Sequence, residues 1–321
     1  MLKALIITAF TMFAPATIAV AHANFPSKPI TIVVGFGAGG ATDVLARKLA
    51  VGLEEILGTS VIVENRPGAS SMIAAQYVAS APPDGHTLYM GTAGALVINV
   101  HFEPKPNYDP LEDFTPISLL VLNDPVLIAR KDFPANNVAE LIALAKEAPG
   151  KYAFGSSGVG SPTQLAVEQF ARAAGIELTH IPYQGDAPSA ADVVAGHLDM
   201  AVNGIPSVAE FIKAGTVKAI VVFGENRLSA FPDLTTIAEQ GYPDLTASTL
   251  TGLLAPGGTP AEVIDKLNVA TREVMEAPEF NELLEESGSR VETNTPAEFG
   301  AHLKSEYAKW QAIIEQAGLG R

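Results

Sequence analysis

The hydrophobic positions of this chain switch between two periods. Ile30-Thr31-Ile32-Val33-Val34, Val61-Ile62-Val63 and Thr87-Leu88-Tyr89-Met90 are short runs of β-branched, aliphatic and aromatic residues that read as strands. After Gly40 the spacing lengthens. Val44, Leu45, Leu49, Leu53, Ile56 and Leu57 fall on one helical face, Lys48, Glu54 and Glu55 lie off it, and Gly58 ends the helix. Strand, helix and strand in close succession are the rhythm of a parallel sheet, so the expected class is α/β.

Breakers crowd the stretch from Asp109-Pro110 to Asp124-Pro125. The pattern restarts beyond it with Val126 to Arg130, a helix from Val138 to Ala148 and a strand near Tyr152-Ala153-Phe154. A comparable restart comes at Gly252 to Pro256, before a helix from Ala261. Leu127 to Pro134 and Leu253 to Pro260 have one plan: a strand, a short turn, a proline, then a helix. Two such crossings predict an inner lobe, 125–246, inserted in a discontinuous outer lobe made of 24–124 and 247–321. A ligand cleft is expected between the lobes, closing about the two crossings as hinges.

The amino terminus changes the picture of where the protein works. Met1-Leu2-Lys3 precedes an apolar stretch, Ala4 to Val20, that ends at Ala21-His22-Ala23, the small-x-small pattern of a secretory cleavage site. Residues 1–23 are therefore expected to be removed and the protein to reside in the periplasm. A membrane anchor is the other reading, but Thr8, Thr11, Pro15 and Thr17 interrupt the run, which is shorter than the roughly 20 residues of a span. The chain has no cysteine, which excludes thiol catalysis and thiolate metal sites and suits an oxidising compartment. Its formal net charge is −15, and nucleic-acid binding, which needs a concentrated basic face, is excluded as an expectation. An anionic ligand would then have to be held by local backbone dipoles and a few placed donors.

Two glycine-rich loops offer such dipoles. Gly35-Phe36-Gly37-Ala38-Gly39-Gly40 lies between a strand and an amphipathic helix, where glycines let the backbone approach a ligand and free N–H groups attract negative charge. It also spells the dinucleotide fingerprint, with Glu64 near the place of the ribose-binding acid, so an NAD(P)-dependent oxidoreductase using Gly35, Gly37, Gly40 and Glu64 is the alternative. A second loop, Gly155-Ser156-Ser157-Gly158-Val159-Gly160-Ser161, precedes a helix starting near Thr163. One loop per lobe suits a small carboxylate clamped from both sides; plain tight turns between strand and helix are the competing explanation. Catalytic constellations do not assemble. Ser157 lacks the frame of a nucleophile elbow, since Val159 stands where its last glycine belongs. His86, His101, His180, His197 and His302 are scattered without metal-ligand spacing and read as surface or structural residues. Asp43 reads as a first-turn acid favoured by the helix dipole. A receptor without cofactor or metal, rather than an enzyme, is expected.

With these segments in view, the chain resembles the Bug-type solute receptors of tripartite tricarboxylate transporters. The resemblance rests on Phe25-Pro26-Ser27-Lys28-Pro29-Ile30, Gly39-Gly40-Ala41-Thr42-Asp43, Val63-Glu64-Asn65-Arg66-Pro67-Gly68-Ala69, Pro83-Asp84-Gly85-His86-Thr87-Leu88 and Tyr108-Asp109-Pro110. It continues through Gly155 to Ser161, Pro182-Tyr183-Gln184-Gly185, Phe231-Pro232-Asp233-Leu234-Thr235-Thr236 and Gly252 to Pro256. It implies the type II periplasmic binding protein fold and a monomer that captures a small carboxylated metabolite for a membrane permease. It further implies a ligand site at Phe36, Gly37, Ala38, Ser71, Thr92, Ser156, Ser161 and Asn203, to which the second loop and its surroundings add Ser157, Gly158, Tyr183 and Gly185. The family pattern has prolines at Gly35 and Ala38, commonly a His at Gln164 and often Trp-Phe at Leu250-Thr251. Gln164 and Leu250 are thus expected at a pocket that lacks an aromatic wall, which favours compact aliphatic acids.

Overall fold

A computed structural model describes residues 25–317 apart from positions 40, 160, 184, 287 and 288. The expected leader 1–23 with its expected cleavage site at Ala23, and Gly40 and Gly160 of the two loops, lie outside the described residues. The chain begins with β1 (Ile30–Val34), α1 (Ala41–Leu57), β2 (Val61–Asn65), α2 (Met72–Ala79), β3 (Thr87–Thr92) and β4 (Phe114–Asn123). Next come β5 (Pro125–Arg130), α3 (Val138–Glu147), β6 (Ala153–Ser156), α4 (Pro162–Ala174), β7 (Thr179–Pro182), α5 (Asp186–Val194), β8 (Met200–Gly204), α6 (Ala209–Lys213) and β9 (Val217–Val222). The last part holds β10 (Thr249–Pro256), α7 (Ala261–Met275), α8 (Pro278–Glu286), β11 (Arg290–Val291) and α9 (Pro296–Ala317).

The strands form two sheets, ordered β11-β4-β10-β3-β1-β2 and β7-β6-β8-β5-β9. Each contains three mutually parallel strands, β2-β1-β3 in one and β7-β6-β8 in the other. Each is extended by an antiparallel strand that has come across a crossing, β10 beside β3 and β5 beside β8. The two segments that share the strand–turn–proline–helix plan are therefore the equivalent strands of the two sheets. Within β1 the side chains alternate: Ile30, Ile32 and Val34 join one buried cluster and Val33 another, so the sheet is covered on both faces.

Two sequence expectations need correction. The breaker-rich stretch before Pro125 holds a ten-residue strand, β4. Its Ile117, Leu119, Leu120 and Val121 are all buried, a run that serves both faces of the sheet, and Pro116 is accommodated beside an irregularity in the pairing with β10. On α1, Val44 and Ile56 are exposed, while Ala46 and Ala50 join Leu45, Leu49, Leu53 and Leu57 in the buried stripe. The stripe is narrow because α1 and α7 pack closely, with Gly52 against Val274.

Both crossings are tied to one another. The Ser248 hydroxyl donates a short hydrogen bond to Asp124 Oδ1, Ala247 N–H donates to Phe223 O at 2.8 Å, and Phe223 N–H donates to Pro125 O at 2.8 Å. Asp124 is buried, which pushes its carboxyl above the usual range, and Arg290 stands 3.6 Å from it.

Candidate functional site

Strand direction decides where a ligand can sit. β3 ends at Thr92, which pairs with Thr251 beside the crossing, and β8 ends at Asn203 and Gly204, which pair with Val126 and Pro125 just past it. The carboxyl ends of the parallel strands of both sheets thus point at the crossings, with Gly35 to Gly39 following β1 and the second loop following β6 from Ser157. Ligands in open α/β sheets favour such strand ends. A cavity of about 300 Å³ lies beside the end of the first loop, lined by Gly39, Thr42, Val44 and Thr251 with Pro206 from the other lobe; none of the expected ligand residues lines it.

The first loop is presented outward and clamped from behind. Phe36, Gly37, Ala38 and Gly39 are exposed, whereas Gly35 is buried. Gly39 N–H donates to Asp43 Oδ2 at 2.8 Å, Asn65 Nδ2 donates to Asp43 Oδ1 at 2.8 Å and to Phe36 O at 3.0 Å, and Arg47 Nε donates to Asp43 Oδ2 at 2.9 Å. Arg47, then the Gly39 amide and Asn65, hold the Asp43 carboxyl down to about 2. Asp43 is therefore the loop's anchor, a role its reading as a first-turn acid did not contain. Behind Gly35 the chain makes a left-handed turn at Ala69, Ser70 and Ser71, with φ of 46°, 51° and 76°. Such a conformation costs about 1–2 kcal/mol per residue. The Tyr89 hydroxyl offsets part of this, bonding Ser71 Oγ at 2.8 Å and donating to Ser71 O at 3.3 Å.

Local sequence explains the second loop. Ser161 caps α4 by accepting from Gln164 N–H, Pro162 follows at the first helical position, and Gly175 ends the helix at φ 63°. Thr163 organises the loop: its hydroxyl oxygen accepts from Ser157 N–H at 3.0 Å and lies 2.8 Å from Ser157 Oγ and 3.0 Å from Ser161 Oγ. Ser156 is fully buried, and its hydroxyl lies 2.7 Å from His180 Nε2. Burial lowers the imidazole pKa of His180. Opposite the loop, Gly185 starts α5 with φ 119°, and Tyr183 OH donates to Asp192 Oδ2 at 2.7 Å. Asn203 is fully buried and donates to Asp186 O and Ser189 Oγ.

The expected residues thus separate into groups. Phe36, Gly37 and Ala38 on one side, and Ser157, Gly158, Ser161, Tyr183, Gly185 and Asn203 on the other, stand at the strand ends that flank the crossings. Thr92 joins them, with a buried Oγ1 that has no partner among the described residues. Ser71 and Ser156 sit one layer deeper, with their hydroxyls turned to Tyr89 and His180. Gln164 is buried, and its Nε2 donates to Glu168 Oε1 at 2.6 Å. Leu250 is the clear correction. The two-residue period of β10 sends it into the core beside Leu122 and Leu254, 2% exposed, while Thr251 lines the cavity. Asn65 and Thr163 were missed, and His180 and Asp186 were not placed at the site; the Ser-Pro-Thr start of α4 was the one local signal, for Thr163.

The dinucleotide alternative fails on topology. A classic dinucleotide-binding sheet continues with parallel strands, but here antiparallel β10 follows β3, and the Glu64 carboxylate is paired with Arg66 at 2.7 Å.

Comparison with known proteins agrees. Residues 45–319 match the model of the tripartite tricarboxylate transporter family receptor. Protein BugT of Bordetella pertussis is 31% identical over 296 residues, 92% of this chain and 91% of its own. The structure of R. palustris Rpa4515 with adipate is 33% identical with a TM-score of 0.82, covering 92% of this chain and 99% of that one. MatC (Rpa3494) from Rhodopseudomonas palustris with bound malate is 31% identical with a TM-score of 0.78, covering 90% and 100%. Two sheets of like order joined by two crossings, a glycine loop at the strand ends of each, and these likenesses along nearly the whole length place the chain in the tripartite tricarboxylate transporter receptor family, with its two-lobed type II periplasmic binding protein fold.

Proposed function

We propose that this protein is a periplasmic receptor that captures a small aliphatic mono- or dicarboxylate between its lobes and delivers it to a membrane permease of the tripartite tricarboxylate type. The observation that carries this reading is the pair of glycine loops, 35–39 and 155–161, each opening onto a helix at the carboxyl ends of three parallel strands. Adipate and malate in the two related structures support it. No helix among the described residues is long and apolar enough to cross a membrane. Removal of residues 1–23, an outer lobe of 24–124 with 247–321 and an inner lobe of 125–246 complete the proposal. In it, Phe36, Gly37, Ala38, Thr92, Ser157, Gly158, Ser161, Tyr183, Gly185 and Asn203 face the ligand.

Calorimetric titration with succinate and malate beside benzoate and phthalate tests the ligand class. The aliphatic acids are expected to bind more tightly, and a clear preference for the aromatic acids would overturn the assignment. Gly37→Trp tests the site itself. Gly37 is exposed, and a Cβ there meets nothing within 4 Å. The variant should melt like the parent yet bind the preferred acid about tenfold or more weakly, because the ring fills the approach to the loop. Unchanged affinity would remove the first loop from the site. Gly158 gives a less clean test, since its φ of 142° would strain any side chain.

A further inference from the structure

Two buried oxygen acceptors at the start of α5 and the end of β8 have no hydrogen-bond partner among the described residues. Asn203 is 0% exposed and spends its Nδ2 on Asp186 O and Ser189 Oγ, which leaves Oδ1 unmet. Asp186 receives Gly204 N–H on Oδ2 at 2.9 Å, while its Oδ1 is buried and unmet. Hydrogen-bond capacity inside proteins is seldom left unused, so two unmet acceptors side by side call for an explanation, and a bound ligand group is one. Both residues lie where the ligand cleft is proposed, next to Ser157 of the second loop. An acid is also an unexpected neighbour for an anionic ligand, because carboxylate beside carboxylate is repulsive.

We infer that Asp186 and Asn203 form a donor-seeking subsite, so that the natural ligand carries, besides its carboxylate, an ammonium group or, second best, a hydroxyl. The inference rests on the carboxylate-receptor reading and sharpens it. An ammonium group has donors for both unmet oxygens and cancels the Asp186 charge, whereas a hydroxyl has one donor. A plain dicarboxylate brings only acceptors to this corner. The Gly204 amide on Oδ2 favours the Asp186 anion, and its place at the first residue of α5 adds the helix dipole. Burial pushes the same carboxyl upward, a direction that a bound cation reverses.

The test is calorimetric titration at neutral pH with acids matched in carbon skeleton and differing only at C2: succinate, malate and aspartate, with propionate, lactate and alanine, and glutarate, 2-hydroxyglutarate and glutamate, as shorter and longer sets. In the set that fits, the amino acid is expected to bind about tenfold or more tightly than the plain acid, with the hydroxy acid between them. Asp186→Asn keeps an acceptor for Gly204 N–H and removes the charge. It should shrink the preference to about threefold or less and raise the affinity of the plain acid. Circular dichroism checks that the variant folds, and the wild-type ratios decide the matter without it. Equal or tighter binding of the plain acid in every set, or an undiminished preference in folded Asp186→Asn, overturns the inference and leaves the receptor reading standing. Binding of none of the nine acids overturns the receptor reading and this inference with it.

Discussion

Replacing Asp43 with alanine is expected to weaken ligand binding about ten- to hundredfold while leaving a folded protein. The carboxylate accepts from Gly39 N–H, Asn65 Nδ2 and Arg47 Nε, and Asn65 in turn donates to Phe36 O. Removing it frees both ends of the loop, which must then be ordered when ligand arrives, and that ordering is subtracted from affinity. The buried donors left behind add a stability loss of about 1–3 kcal/mol. Titration and scanning calorimetry of Asp43→Ala beside Arg47→Ala check both effects. Arg47 is half exposed and does not touch the loop directly, so its loss should cost less of each. Equal binding by Asp43→Ala and the parent protein would show that the loop does not need its anchor.

Acid should release the same anchor. The folded carboxyl lies at about 2, below the ordinary aspartate value. An unfolded chain therefore takes up the proton first as pH falls. The stabilisation is complete above the ordinary value and is lost as pH falls toward about 2. The neutral imidazole of His180 acts in the same direction at higher pH: with its folded pKa lowered by burial, its contribution is lost as pH falls below the unfolded histidine value. Stability should accordingly decline in two steps on acidification, the first near the histidine range.

Gly35→Val should damage the protein more severely than any loop variant considered above. A Cβ at position 35 would lie 1.8 Å from Ser71 Oγ and 2.5 Å from Ser71 Cα. Moving Ser71 away is costly, because it belongs to the left-handed turn and its oxygens are bonded to Tyr89. Tyr89 is itself fully buried and stacked on Phe114 at 5.5 Å between centroids. Overpacking of this kind costs typically about 1–3 kcal/mol, and more where backbone is the obstacle. At about 2–4 °C per kcal/mol for a chain of this size, the upper end of that cost, about 3 kcal/mol, should lower melting by about 6–12 °C, with ligand binding lost beyond detection. Ser71→Gly in the same chain should recover part of the loss, since it removes the two nearest atoms and leaves only the backbone conflict. A melting temperature within about a degree of the parent would show that the loop and the left-handed turn do not pack as described.

Much of the architecture was readable from one-dimensional pattern. β1, β3, α1, α3 and α7 announce themselves because each is a local element whose buried face repeats with its own period. The two crossings were visible as a repeated plan around Pro134 and Pro260, and both loops as glycines between a strand and a helix. β4 was hidden, since a strand buried on both faces shows no alternation and Pro116 and Ser118 resemble breakers.

The site divides in the same way. Which backbone would be offered to a ligand, at 35–39 and 155–161, follows from residues adjacent in sequence, because glycine freedom and helix ends are local properties. Which side chains hold or question that ligand does not. Asp43 meets Asn65 from 22 positions away, Ser156 meets His180 from 24, Asp186 meets Gly204 from 18, and Asp124 meets Ser248 from 124. None of these pairs shares an element, so no period or spacing connects them. Leu250 shows the converse: sequence placed it at the pocket by position, and only the face of β10 on which it falls sent it to the core. Local composition determined the elements and the anion-ready loops; the parallel strand order, by gathering distant strand ends at two crossings, decided which side chains became a site.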